Sequence, residues 1–569
     1  MQNRLLGIGL GLALLSSFAV AGENTPKRTK RVQEKIDIKV VAWGPNQELV
    51  DRAKARVEQS AAVQNVLKNT KYRLVSFNYI ETNGDKSRLI APPTRFQIVF
   101  YDYTNDRTFV AKSNFAGTEA VAVREENFEP GVGGDELKDA LEIIKKDVKL
   151  GALYKQNKLR FYEAMPPVSN LNGERLVNVG VKFLPDGENQ VVGVSFKKET
   201  VVNYVDNAPL TSKAASEACG IAPSGQESTD SGVAGQYQVM ISQNGSTLWE
   251  MLVVRPSASS GSVERSGVEI RDVKYKGKSV LKRGHAPVLT VQYPEGNCGP
   301  FRDWQYAEGF FNAPATGATN PAPGIRILGE GQTAQTALDS GNDTGNFQGV
   351  AIYTQEVGYG KEIVMVSEMQ AGWYRYIMEW RFASDGTIRP RYGFGAVNNP
   401  CVCSVHHHHV YWRFDFDIVN PINKIFQIER GRKFLQPVTN EVAKLRNYQT
   451  NRGFLIQNST GNEAYAIVPN ISDGATDAFG GGDFWLLRYK AGNGGEPDEI
   501  DDPNSDTSTA VKLEPWVNNE SLFNQDVVVW YGAHFIHNEY ESNLLSPDRS
   551  GNVLTNSHVV GPELRPIRW

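Results

Sequence analysis

The chain has 569 residues, 40% of them hydrophobic and 10% aromatic, which is enough for several packed domains. Its 60 Lys and Arg nearly balance 64 Asp and Glu, for a net charge of −4. That balance excludes the basic field that draws nucleic acid and the acidic block typical of a disordered tail.

The first segment predicts an export signal, residues 1–21. Arg4 supplies a positive start, Leu5 to Leu15 an apolar core, and Ala19-Val20-Ala21 a small-x-small cleavage site. The apolar run is short for a membrane span, and nothing later approaches one. These features predict secretion or a periplasmic location. The four cysteines, Cys219, Cys298, Cys401 and Cys403, suit an oxidising compartment. Their pairing is open, and Cys401-Val-Cys403 beside a histidine run leaves a metal-binding thiol open as well.

Residues 22–35 are polar. Asn46 to Asn69 has helical periodicity through Leu49, Ala53, Val57, Ala61 and Val66, and strand-like runs come next at 72–79, 95–101 and 108–112. Residues 22–118 therefore read as a small α+β domain, a helix on an antiparallel sheet. The order repeats over 119–210. Asp135 is placed to cap a helix over 136–150, ahead of strands at 175–183, 190–197 and 200–204. Gly131 to Gly134 lacks the Lys and Ser/Thr of a phosphate-binding loop and reads as a plain loop. Residues 211–235, rich in Ser, Gly and Ala, read as a linker. From 236 to 569 the pattern is short alternating runs with many Gly and Pro turns, which predicts a large antiparallel β-sandwich. The fold class is mainly β. Glu496 to Asp502 forms an exposed acidic loop.

Six of the eight histidines lie in His406 to His409 and in His534-Phe-Ile-His537. Imidazole is the commonest side chain for borderline transition metals. In a strand, alternate residues share a face, so His406 and His408 point one way and His407 and His409 the other. An H-x-H pair completed by a distant histidine makes a three-nitrogen metal site. Zinc or a purely structural site is also compatible with that donor set.

Three segments, in order, resemble the catalytic domain of copper amine oxidases. The first is Gly267 to Leu281. The second is Trp373-Tyr-Arg-Tyr-Ile-Met-Glu-Trp380 with Asp385-Gly-Thr-Ile388. The third is the histidine run with Arg413-Phe-Asp-Phe-Asp417, joined by Asp526-Val-Val-Val-Trp-Tyr531 and His537. The resemblance spans about half the chain, and the two small α+β domains suit it. It implies copper ligands at His406, His408 and His537. It implies a second, calcium-like site at Asp415, the Phe416 carbonyl, Asp417, Asp526 and the Val527 carbonyl. Tyr374 falls where the family converts a tyrosine to topaquinone.

The resemblance thus implies amine oxidation. A small primary amine, O2 and water would give aldehyde, ammonia and hydrogen peroxide, in a homodimer with no membrane span. The alternative is a copper-binding relative without amine oxidase activity, or with other copper–oxygen chemistry. The chain departs from the family pattern in several places, and beyond His537 the segment Asn538 to Ser542 lacks the family's usual Pro- and acid-rich continuation. Trp373 and Arg375 flank Tyr374 and are expected to alter how its ring rotates between copper and substrate, and the general-base position reads as Asn312. An amide has no basic pKa near neutrality. Asp303 and Glu308 are nearby substitutes. His534 falls outside the match and reads as a local hydrogen-bonding residue.

Overall fold

The computed structural model describes residues 35–80, 91–184, 189–203, 220–221, 235–260, 264–292, 301–357, 360–397, 400–403, 405–470, 473–474, 482–490, 513, 516–537, 545–547, 553–555 and 559–569. The signal segment, Cys219, Cys298 and the acidic loop at Glu496 to Asp502 lie outside them.

Two large sheets stack face to face, built from residue 236 onward except for one edge strand, Ile36–Ala42. The first runs Ile36–Ala42, Gln236–Gln243, Ser246–Val254, Glu269–Tyr275, Lys278–Gln292, His406–Phe416, Val527–His537, Phe484–Arg488 and Val442–Lys444. The second carries Val350–Val357, Gly360–Ala371, Tyr374–Ala383 and Ile388–Ala396 at its centre, and reaches Glu563–Arg568 and Ala464–Val468. Pairing is antiparallel, except that Ile325–Ile327 runs parallel to Val350–Val357. The chain is mainly β, as its alternation predicts.

The two sheets close on an aromatic core. Trp380 from the second sheet meets Trp412 from the first edge to face, with ring centroids 5.4 Å apart. Tyr392 and Phe414 pack around this pair, and all four are fully or nearly fully buried. Burying rings of this size is the main apolar stabilisation of such a sandwich.

Two small α+β units precede it. In the first, helices Gln47–Glu58 and Ala61–Leu67 lie with a four-stranded sheet running from Tyr72–Ile80 to Ala122–Glu126. The helical pattern expected over 46–69 is broken at Ser60. Its side chain accepts from the Val63 amide and starts a new helix. In the second unit, Gly134–Lys146 and Val148–Lys155 pack with a sheet from Leu159–Leu171 to Thr200–Asn203. Glu136, not Asp135, caps the first of these helices. It accepts from the Gly133 amide at 2.7 Å and is also held by the buried Arg175. Asp147 caps the second helix, so the stretch expected over 136–150 is two helices.

The strand Ile36–Ala42 differs from expectation. It pairs with Gln236–Gln243 at the edge of the large sheet rather than joining the first small unit. Val40 is buried and Ile36 and Ile38 pack on the sandwich core, so the alternate face of this strand is what docks it there. The first small sheet also extends past residue 118, to Glu126. Among the described residues no helix is long and apolar enough to cross a membrane.

Candidate metal centre

His406–Phe416 is a continuous strand in the middle of the first sheet, between Lys278–Gln292 and Val527–His537. The alternation sorts its residues. His406 and His408 face the second sheet with Trp412 and Phe414, while His407 and His409 face outward with Tyr411. His406 and His408 are fully buried, with ring centroids 5.0 Å apart. The register places His537 directly opposite His406 across the ladder. In an antiparallel pair, opposed residues share a face, so the backbone brings the three sequence-predicted ligand positions together.

Tyr374 begins the strand Tyr374–Ala383 of the second sheet and is fully buried. Its hydroxyl is hydrogen-bonded to His406 Nε2, and its ring centroid is 4.6 Å from that of His408. Tyr376 stacks on it almost in parallel, at 5.3 Å and 7°. The Tyr376 hydroxyl in turn donates to Asp303 Oδ2. Asp303 is fully buried, and among the described residues its Oδ1 has no hydrogen-bond partner. Burial pushes its pKa up to about 7, against the Tyr376 hydrogen bond, which pulls the other way. Phe394 and Phe535 stack at 5.3 Å and wall His408 on its far side.

Arg375 is expected to affect the Tyr374 ring, but its side chain does not lie against that ring. Alternation turns its side chain to the opposite face of the strand. There it makes a bidentate pair with buried Asp343, at 2.6 and 3.0 Å. Trp373 is buried in the turn before Tyr374, and its carbonyl accepts from the Val397 amide. Asn312 is half-buried and bridged through its backbone to Gln335. Glu308 is engaged by Arg255 and by the Ser257 hydroxyl, so it is held as an ion pair rather than as an available base. Cys401 is in a disulfide, which removes its thiolate as a metal donor.

At the far end of the histidine strand, Asp415, Asp417 and Asp526 each bring one carboxylate oxygen within 4.8 Å of the others. Asp415 and Asp417 are buried, and Asp526 is half-buried. Phe416 and Val527, whose carbonyls complete the sequence-predicted set, face one another in the ladder between these carboxylates. Convergent carboxylate and carbonyl oxygens are the donors a hard cation takes.

The bond from Tyr376 to Asp303 was not legible in sequence, because it joins positions 73 residues apart. Nor was the chain by which His534 contacts His409 Nδ1 at 2.8 Å and Asp483 Oδ1 at 3.1 Å. The expectation that His534 is a hydrogen-bonding residue agrees with those contacts.

Three solved structures share this arrangement of sheets and small units. A copper-containing benzylamine oxidase from Hansenula polymorpha superposes with a TM-score of 0.58 at 13% identity, over 93% of this chain and 97% of the other. An amine oxidase from Aspergillus nidulans gives 0.56 at 13% identity, over 93% and 88%. The lysyl oxidase of Pichia pastoris gives 0.55 at 11% identity, over 92% and 90%. The fold is that of the copper amine oxidases. At this identity the likeness establishes the copper amine oxidase fold and not the activity. No protein-family model and no curated protein matches the chain.

Proposed function

We propose that this protein is an exported copper- and topaquinone-dependent primary amine oxidase, converting amine, O2 and water to aldehyde, ammonia and hydrogen peroxide. One observation carries the reading. The Tyr374 hydroxyl sits on Nε2 of His406, with its ring against His408. Two buried imidazoles on one face, with a third histidine position opposite them in the ladder, fit copper, and a tyrosine hydroxyl aimed at that pair fits a precursor oxidised in place. When bound, copper and the topaquinone derived from Tyr374 would supply oxygen chemistry and an electrophilic carbonyl.

The chain's own residues do the rest. His406, His408 and His537 hold the metal. Phe394 and Phe535 keep water from His408. Tyr376 stacks against the Tyr374 ring and limits its tilt. Asp303 is the carboxylate linked most directly to that stack, and it takes the substrate's α-proton in this proposal. Its burial keeps it basic enough to do so near neutrality.

Asp303 acts as a base only when ionised, so peroxide release should rise as pH passes through about 7. Asp303→Asn should remove that limb and lower turnover by roughly 10² to 10⁴-fold. Asn312→Asp tests the position singled out by the resemblance. A gain in turnover there, with Asp303→Asn silent, would move the base to position 312.

Calcium belongs to the same proposal, at Asp415, Phe416, Asp417, Asp526 and Val527. Ligand that binds only the folded state stabilises it by about 2.7 kcal/mol at a hundredfold excess over Kd. Calcium should therefore raise the melting temperature of chelator-treated protein, and Asp417→Asn should abolish that response. The Cys401 disulfide supports an oxidising compartment, and with it export. A homodimer is proposed on the resemblance alone, and sedimentation would test it.

Asn312 favours a second reading, a copper protein of this fold without amine turnover. Mass spectrometry of the peptide carrying Tyr374 separates the two. Unmodified tyrosine after copper loading in air would rule out the quinone.

A further inference from the structure

The copper reading uses three of the six clustered histidines. The other three are arranged as its counterpart. On the inner face, the pair His406 and His408 is joined by His537, which sits opposite His406. On the outer face, the pair His407 and His409 is joined by His534, which sits opposite His409. A four-histidine run paired with H-F-I-H in this register sorts six histidine positions into two sets of three, one for each face of the same two strands.

We propose that His407, His409 and His534 form a second metal-binding set, taking a borderline divalent ion, zinc or copper(II), on the outer face of the sheet. His409 and His534 are buried, and their Nδ1 atoms approach to 2.8 Å. The 5.0 Å between their ring centroids equals that between His406 and His408. Asp483 accepts at His534 Nε2, 3.1 Å away. A carboxylate on one ring nitrogen fixes the tautomer and leaves the other nitrogen as the donor, which is the usual support for a metal-bound histidine. Here that other nitrogen is the one aimed at His409. The segment carrying Asp483 comes this close because residue 532 is glycine. The Gly532 amide donates to the Asp483 carbonyl, and a Cβ at 532 would stand 3.0 Å from the Gly482 carbonyl oxygen.

His407 supplies the third nitrogen and the way in. It is half-buried, and its ring lies 6.2 Å from that of His409 at 28°. A change of rotamer at His407 is required to bring its nitrogen to the pair, and the ion then replaces the hydrogen-bonded proton between His409 and His534. Three histidines leave a fourth position for water or another small ligand. This site does not rest on the copper reading of the inner face.

Zinc loading tests it. Chelator-stripped protein is loaded with zinc in excess calcium, which occupies the carboxylate cluster. It is then gel-filtered and its zinc counted. The expected result is one equivalent that His407→Ala and His534→Asn each remove, and that the double variant His406→Ala/His408→Ala retains. Asp483→Asn should weaken that equivalent by roughly 10- to 100-fold. Because His407 is half-buried, His407→Ala keeps the test valid even if His534→Asn fails to fold. If His407→Ala retains all the zinc of the wild type, the proposal is overturned, and His409 and His534 are a hydrogen-bonded pair only. Copper loading separates the two readings: if His406→Ala/His408→Ala retains all the copper of the wild type while His407→Ala loses an equivalent, the copper reading of the inner face fails and this one stands.

Discussion

Tyr374→Phe should leave a folded, metal-binding protein with no quinone colour and amine turnover lower by on the order of 10⁴-fold or more, the scale of losing a covalently reacting group. The substitution removes one oxygen. The ring keeps its stack on Tyr376 and its edge contact with His408, so the core between the sheets stays filled. What disappears is the hydroxyl on His406 Nε2, a net loss of about 1 kcal/mol of hydrogen bonding. Stability and activity therefore separate, and differential scanning beside a peroxide assay reads both. Turnover comparable to wild type would show that Tyr374 is not the cofactor precursor.

His408→Ala should lower copper affinity by at least ~100-fold, since losing a direct ligand exceeds the cost of losing a residue behind one. It breaks the same-face pair and leaves His406 with only the histidine opposite it in the ladder. The apo protein should bind less copper in an equilibrium titration, and Tyr374 should stay unmodified after exposure to air. It also empties space among Tyr374, Phe394 and Phe535, so a stability loss of roughly 1–3 kcal/mol accompanies it. His406→Ala should act alike on copper. A variant that still binds copper tightly would place the metal elsewhere, and the outer-face histidines would be the first alternative.

Much of this centre is legible in the chain because strands have an exact period of two. Once His406 to His409 is taken as a strand, the division of its residues between two faces needs no coordinates. The same rule applied to Tyr374 would have sent Arg375 away from the ring, toward what proved to be Asp343. Tyr374 itself was reachable only through resemblance, since a buried strand tyrosine looks like any core residue. Partners across loops stayed hidden. Nothing local to Asp303 points to Tyr376, and nothing in Ile36–Ala42 says that its partner strand begins at Gln236. The helices broke at Ser60 and Asp147 because single side chains there cap the next turn. Hydrophobic periodicity does not register that competition.

That edge strand has a consequence for assembly. Ile36–Ala42 is the first described strand to be synthesised, yet its hydrogen-bond partner arrives only after both small units have been made. The small units can fold from contacts near in sequence, while the sandwich closes through pairings such as Ile36 with Gln243 and His406 with His537. Distant pairings of this kind slow folding and leave strand edges exposed in the meantime. The histidines thus come together only when those distant pairings form, and on the copper reading metal capture closes folding rather than seeding it.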